Sequence, residues 1–136
     1  MTAELNHLIV PARDKWASAK FLAGILGVPA GPEWGRFATV RVANGVTLDY
    51  ADAGEFQAHH YAFLVSDEEF DAALTRLQDA SLPIYAGPGQ EQPGRINTLY
   101  GGRGVYFNDP SGHLMELITK PYGDQNEFLA WMATVR

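Results

Sequence analysis

The sequence predicts an α+β fold in which one pattern, a strand, a helix and further strands, occurs twice. Two segments carry this prediction. HLIVPARD from His7 and HYAFLVSD from His60 share a histidine, an apolar β-prone run and an aspartate at the same spacing. A helical stretch and then strand-rich segments follow each of them. With 136 residues, the chain is expected to form a single domain over residues 1–136 with a substantial core.

The first repeat, called module 1, is expected over residues 4–52. Asp14 is a suitable N-cap for its helix, and Gly27 is typical of the residue that follows a helix C-terminus. Asn44 and Gly45 form a dipeptide that favours a tight hairpin turn between two strands. The predicted elements are a strand near 4–11, a helix near 14–26, and strands near 28–33, 36–43 and 45–51.

The second repeat, module 2, is expected over residues 58–120. Asp67 is the predicted N-cap of its helix, and Phe70, Leu74 and Leu77 recur at the spacing of one helical face. The predicted elements are a strand near 58–66, a helix near 67–80, and strands near 82–87, 102–108 and 113–119.

A C-terminal helix is predicted over residues 124–135, where Phe128, Trp131 and Val135 fall on one face. This apolar face needs a cover, and a second copy of the chain is one way to provide it. The tail therefore predicts a homodimer.

Composition limits the possible partners and compartment. The net charge of −6 and the pI near 5.0, without a basic stripe, argue against nucleic-acid binding. Apolar runs are shorter than the ~20 residues that span a bilayer, and the first residues do not resemble a signal peptide, so no membrane association is expected. Since the chain contains no cysteine, a reducing cytoplasm suits it and any metal ligands are His, Asp or Glu.

Four polar residues fall at equivalent places in the two repeats. His7 and His60 open the first strand of each module, and Asp49 and Glu116 lie on the last strand. Glu116 is conspicuous because HLMELI around it is apolar on both faces of a strand. If the two halves fold alike and meet around a pseudo-twofold axis, two imidazoles and one or two carboxylates converge, which is a site for a divalent transition metal.

Ordinary structural roles are the alternative for these residues. A histidine on a strand is more often a structural residue than a ligand, and Glu116 can pair with an arginine instead of a cation. Asp49 can simply close a strand end. His59 points opposite to His60 and is expected to be structural or on the surface, and His113 after the turn glycine is expected to be exposed.

Three segments, LNHLIV with His7, HHYAFLV with His60 and NDPSGHLMELI with Glu116, match one known pattern. From about residue 5 to about residue 120 the chain resembles the vicinal oxygen chelate superfamily, which includes glyoxalase I, bleomycin-resistance proteins, fosfomycin-resistance enzymes and extradiol ring-cleaving dioxygenases. The resemblance implies two βαβββ modules that form a cupped half-barrel sheet around one site. It also implies a small-molecule substrate and one divalent metal ion per chain, Zn, Ni, Fe, Mn or Co, held by His7, His60 and Glu116. Asp49 falls where glyoxalase I has a fourth ligand.

The resemblance leaves three functions open. A metal-dependent, glyoxalase-like lyase or isomerase leads, with Asp49 as a catalytic residue. A ring-cleaving dioxygenase with a two-histidine, one-glutamate iron site is the second, and Tyr106 matches a tyrosine that those enzymes place near the active site. A metal-free protein that binds an antibiotic or similar small molecule is the third. Arg95 and Tyr100, in the glycine- and proline-containing loop GPGQEQPGRINTLYGG, are the predicted substrate-binding residues.

Overall fold

The computed structural model describes residues 2–136 and separates the chain into two compact units. Unit 1 contains the residues up to Ala58 together with the short turn Asp109–Gly112. Unit 2 contains His59–Asn108 and His113–Arg136.

Unit 1 is a four-stranded sheet with one helix on it. Its elements in chain order are β1 (His7–Ala12), α1 (Lys15–Leu26), β2 (Ala30–Trp34), β3 (Phe37–Arg41) and β4 (Thr47–Asp52). The strand order is β1-β4-β3-β2, with β1 parallel to β4 and the other pairs antiparallel. The Asp14 side chain accepts a hydrogen bond from the Ala17 amide, and Gly27 ends the helix in the left-handed conformation, as predicted. α1 packs on the sheet through its buried residues Ser18, Ala19, Leu22, Ala23 and Ile25.

Unit 2 repeats this arrangement with one strand fewer. Its elements are β5 (His60–Leu64), α2 (Asp67–Asp79), a 3₁₀ turn at Leu99–Gly101, β6 (Gly104–Asn108), β7 (Leu114–Ile118) and α3 (Gln125–Val135). The strand order is β5-β7-β6, with β5 parallel to β7 and β6 antiparallel to it. The predicted α+β fold, with two βαβββ modules and a C-terminal helix, is confirmed.

The strand predicted near 82–87 shrinks to a single paired residue. Tyr85 exchanges two backbone hydrogen bonds with Tyr106 of β6, at 2.9 and 2.8 Å. Tyr85 thus holds the place beside β6 that β2 holds beside β3. Pro83 cannot donate to a ladder, and a turn begins at Gly87-Pro88, so the pairing does not extend.

The N-terminus of α2 is also one residue away from its prediction. Ser66, not Asp67, is the N-cap: its hydroxyl accepts from the Glu69 amide at 3.1 Å, and the Glu69 carboxylate accepts from the Ser66 amide at 2.9 Å. This reciprocal pair is a capping box, which satisfies two amides that otherwise lack partners. The predicted Phe70 and Leu77 are buried, and Ala73 completes the packed face.

No helix within residues 2–136 has the length and apolar character required to cross a bilayer.

Candidate functional site

Glu116 lies at the centre of β7 and has a strand on each side of it. Its register partners are Ala62 on β5 and Tyr106 on β6. Only 2% of the residue is exposed, and a buried charge without partners is strongly unfavourable. Two side chains of unit 2 compensate this charge, because His60 Nε2 lies 3.0 Å from Oε1 and the Tyr122 hydroxyl donates to Oε2. The carboxylate on this apolar strand is therefore engaged on both oxygens.

His60, the first residue of β5, faces hydrogen-bond acceptors with both of its ring nitrogens. Nδ1 lies 3.1 Å from the carbonyl oxygen of Leu114, and Nε2 faces the Glu116 carboxylate. A neutral imidazole has one N–H, so it can donate to only one of these acceptors. When Nδ1–H donates to the carbonyl, Nε2 presents a lone pair to a carboxylate, and either a proton or a cation is needed between them. Nδ1–H bonding to a backbone carbonyl is also how many proteins orient a metal-binding histidine. The pair fits a divalent metal ion.

Two tyrosines extend this cluster. The hydroxyls of Tyr106 and Tyr122 lie 2.8 Å apart. Burial, followed by its hydrogen bond with Tyr122, raises the pKa of Tyr106, and burial, followed by the hydrogen bond to Glu116, raises the pKa of Tyr122. Both phenols therefore keep their protons at neutral pH. Since the Tyr122 proton is donated to Glu116, the proton between the two hydroxyls belongs to Tyr106. The Tyr106 ring also stacks on His60, with centroids 6.0 Å apart.

Tyr122 was not among the residues predicted from the sequence. It lies in the connection between β7 and α3, outside the repeated pattern, and 45% of it is exposed. The one signal in the sequence is an aromatic residue within an otherwise polar connection that contains Pro121 and Gly123. That signal does not indicate which atom the hydroxyl contacts.

Unit 1 places His7 and Asp49 at the equivalent positions of its own sheet. Asp49 pairs with Ile9 on β1 and Thr39 on β3, just as Glu116 pairs with Ala62 and Tyr106. His7 is therefore the diagonal neighbour of Asp49 on one face of the sheet. His7 is exposed, and its Nδ1 lies 2.7 Å from the Asn6 side-chain oxygen, while Asp49 is 7% exposed.

The predicted ligand set was His7, His60 and Glu116. Across residues 2–136, no group of three or more His, Asp or Glu side chains is arranged to hold a metal ion. His60 and Glu116 are a pair that offers two ligands. The three-ligand set, and the catalytic roles predicted for Asp49 and Tyr106, stay predictions.

The residues predicted to bind substrate lie in the loop that precedes β6. Tyr100 is held tightly: its hydroxyl donates to the Asp124 carbonyl at 2.7 Å, and its amide donates to the Glu127 carboxylate at 2.5 Å. These bonds attach the loop to the start of α3. Arg95 is exposed on the same loop. Substrate binding by Arg95 and Tyr100 stays a prediction.

The expectation for His113 was wrong, because this residue is fully buried. Its Nδ1 accepts a hydrogen bond from the His59 amide at 2.9 Å, and its ring lies against those of His59 and Tyr61. An imidazole next to a turn satisfies a backbone amide here, which composition around a turn does not reveal. His59 itself is exposed, as expected.

Unit 1 also contains a cavity of about 370 Å³, lined in part by Arg13, Glu55, Phe56 and Ser111. The Ser111 hydroxyl accepts from the Arg13 amide and contacts the Ser18 hydroxyl, each at 3.0 Å. None of the predicted site residues lines this cavity.

Comparison with known proteins gives a consistent relationship. The model of the Glyoxalase/Bleomycin resistance protein/Dioxygenase superfamily matches residues 4–117. The chain is 30% identical over 124 residues to Glutathione transferase FosA of Serratia marcescens, which covers 86% of this chain and 81% of FosA. It is 38% identical over 60 residues to Metallothiol transferase FosB of Shouchella clausii (strain KSM-K16), which covers 44% of this chain and 37% of FosB. The solved structure of Oxidase ChaP-H2 is similar with 51% identity and a TM-score of 0.88, covering 91% of this chain and 98% of that one.

Proposed function

Because the chain belongs to the glyoxalase/bleomycin resistance protein/dioxygenase superfamily, we propose that it is a divalent-metal-dependent oxidase acting on a small, oxygen-bearing substrate. The observation that carries this proposal is the contact of His60 with two hydrogen-bond acceptors. Both of its ring nitrogens face acceptors, and the second of these is the buried carboxylate of Glu116. Replacing the proton at Nε2 by a metal ion satisfies both residues at once.

The ligands of the proposed site are His7, His60 and Glu116, with His60 and Glu116 already paired in unit 2. Two histidines and one carboxylate are the ligand set typical of non-haem ferrous oxygenases. When bound, such an ion would supply open coordination positions for the oxygens of a substrate and would support chemistry with dioxygen. The similarity to Oxidase ChaP-H2 at 51% identity supports an oxidase over the lyase or isomerase that led the predictions from sequence.

The residues around the pair have separable tasks in this proposal. Leu114 orients His60 through its carbonyl, and β7 holds Glu116 rigidly between two strands. Tyr106 and Tyr122 remain neutral donors that stabilise the carboxylate without cancelling its charge. A full negative charge stays available for the cation, which a lysine or arginine at the same place would neutralise.

Two features of the separate units support the proposed homodimer. β1 and β5, which begin with His7 and His60, are both edge strands of their own sheets, and edges of this kind favour association. Leu129 on α3 is 55% exposed. Light scattering at micromolar concentration is expected to give twice the mass of one chain, and a monomeric mass contradicts the dimer.

A second candidate is a metal-dependent thiol transferase. The similarity to Glutathione transferase FosA over 86% of this chain favours it. This function would use the same ligands. The metal ion would polarise an electrophile instead of supporting oxygen chemistry.

One experiment distinguishes these functions. Protein purified without a histidine tag is loaded anaerobically with Fe²⁺, Mn²⁺, Zn²⁺ or Ni²⁺, and metal stoichiometry per chain is measured. Each form is then incubated with vicinal dihydroxyaromatic compounds in air, with a 2-oxoaldehyde and thiol, and with glutathione and an electrophile. We expect one ion per chain and oxygen uptake with the Fe²⁺ form. Thiol consumption without oxygen uptake favours the transferase, and isomerisation of the oxoaldehyde adduct favours the lyase or isomerase. A chain that binds none of the four ions contradicts the metal-dependent proposal.

A further inference from the structure

The connection between β7 and α3 delivers a phenol to the second oxygen of Glu116. While Oε1 of that carboxylate faces His60 Nε2 at 3.0 Å, Oε2 accepts the hydrogen bond of Tyr122. The two oxygens therefore have different neighbours, and only one is directed at the histidine. A free carboxylate can bind a metal ion through one oxygen or through both.

We propose that Tyr122 is a positioning residue that holds Glu116 in a single orientation and reserves Oε2, so that Oε1 alone binds the metal ion. This inference rests on the proposed metal site. Its physical basis is that a hydrogen bond to a ligating carboxylate fixes the ligand and strongly influences metal affinity. It also keeps one more coordination position open for substrate, because a carboxylate bound through both oxygens occupies two positions.

Tyr122 is itself held by aromatic packing. Its ring stacks on Tyr100 with centroids 5.2 Å apart and an interplanar angle of 28°, and it packs on Phe128 of α3 at 5.9 Å. Tyr100 in turn is bonded to the Asp124 carbonyl and to the Glu127 carboxylate. A side chain on an irregular connection, 45% exposed, thus has little freedom to leave the carboxylate.

This packing gives the C-terminal helix a role in holding Tyr122 at Glu116. α3 supplies Phe128 and Glu127, which hold Tyr122 and Tyr100 respectively. Tyr106 adds a donor from β6, since its hydroxyl lies 2.8 Å from that of Tyr122. The orientation of Glu116 is accordingly determined from two sides, by the strand beside it and by the tail.

The test compares Tyr122→Phe with Tyr100→Phe. Each variant loses one phenol oxygen from the same aromatic stack, and each retains the ring, but only the first removes a hydrogen bond to Glu116. Co²⁺ binding is measured by competition with a chromophoric chelator, together with the visible absorption of the bound ion. We expect Tyr122→Phe to weaken Co²⁺ binding by about 10- to 100-fold, and to change the absorption because the carboxylate can then contribute both oxygens. Tyr100→Phe keeps the stacked ring and the amide bond to Glu127, so its loss of Co²⁺ affinity is expected to be much smaller than that of Tyr122→Phe.

Circular dichroism establishes that each variant is folded. Tyr106→Phe provides a second variant, because it removes the donor that tethers Tyr122 and leaves the bond to Glu116 in place. A smaller loss of affinity in the same direction is expected for it. Parent-like affinity and absorption in Tyr122→Phe overturn the inference while the metal site stands, and so does an equal loss in Tyr122→Phe and Tyr100→Phe. Absence of metal binding by the parent itself contradicts the proposed function instead.

Discussion

The last strands of the two units carry a carboxylate at the same register position and surround it with different chemistry. Asp49 of β4 pairs with Ile9 and Thr39, whereas Glu116 of β7 pairs with Ala62 and Tyr106. The backbones of the two sheets correspond closely, including the hydrogen bond just before each parallel strand pair. In unit 1 the Thr47 amide donates to the Asn6 carbonyl, and in unit 2 the Leu114 amide donates to the His59 carbonyl. The register is the same in both units, and the side chains make the two positions chemically different.

The histidines show the same divergence. His60 Nε2 contacts its diagonal carboxylate at 3.0 Å, while the Nδ1 atom of His7 contacts the side chain of its own neighbour, Asn6, at 2.7 Å. A glutamate reaches about one methylene further from its strand than an aspartate. Within the described residues, only unit 2 therefore contains a preformed pair of histidine and carboxylate.

The largest expected effect comes from exchanging the two carboxylates for alanine. Glu116→Ala is expected to abolish metal binding, because it removes a ligand and leaves His60 without its partner. Asp49→Ala is expected to retain the ion and to reduce turnover alone, because the shorter aspartate is predicted to have a catalytic role and not to be a ligand. Titration of both variants with Ni²⁺ or Zn²⁺ measures this. Equal loss of metal in the two variants makes Asp49 a fourth ligand and supports the glyoxalase-like function.

The free energies of unfolding of two histidine variants test the same difference between the units. His7→Ala and His60→Ala are both expected to lose the metal ion, but their metal-free forms should differ. His60→Ala leaves Oε1 of a buried carboxylate without its partner, which costs about 1 kcal/mol once the 46% exposure of the His60 side chain is considered. His7→Ala should change the free energy of unfolding by less than about 0.5 kcal/mol. Urea denaturation without metal decides this, and equal destabilisation contradicts the idea that unit 2 alone is preorganised.

The helix starts distinguish the units on a smaller scale. α2 has a capping box of Ser66 and Glu69, whereas α1 has a single cap bond from Asp14. Ser66→Ala and Asp14→Ala each lose one side-chain cap bond and are each expected to cost about 1 kcal/mol, with the smaller loss in Ser66→Ala because its backbone amide still donates to Glu69. Thermal unfolding of the two variants beside the parent checks the order. A larger loss for Ser66→Ala indicates that the retained bond of the box contributes little.

The smallest effect is the pH dependence of that box. Hydrogen bonding from the Ser66 backbone and then its side chain lowers the pKa of Glu69 from its ordinary value of 4.5. A lowered pKa contributes stability above the unfolded value, and this contribution is lost as pH falls through the folded value. The difference in stability between the parent and Glu69→Gln should therefore shrink as the pH is lowered below about 4.5. Urea unfolding from pH 7 to pH 3 measures it, and a constant difference shows that the carboxylate charge is not responsible.

Much of the fold follows from the sequence by itself, because local periodicity and turn chemistry are short-range. Several features depend only on residues a few positions apart. They are the strands that begin with His7 and His60, the Asp14 cap, Gly27, the Asn44-Gly45 turn and the face of α3. The same pattern, found twice, also predicts that Asp49 and Glu116 occupy equivalent register positions. Their pairing confirms this equivalence.

Only the tertiary structure decided the features that depend on contacts between residues far apart in the sequence. The segment 82–87 pairs with β6 only where Tyr85 meets Tyr106. The buried His113 accepts a hydrogen bond from the His59 amide, which lies 54 residues earlier in the chain. Above all, the contact between Tyr122 and Glu116 has no periodic signature, since it is made by an irregular connection that aromatic rings of α3 and the loop hold in place. Sequence patterns locate residues along strands and helices, but the direction of one hydroxyl depends on the packing of every ring around it.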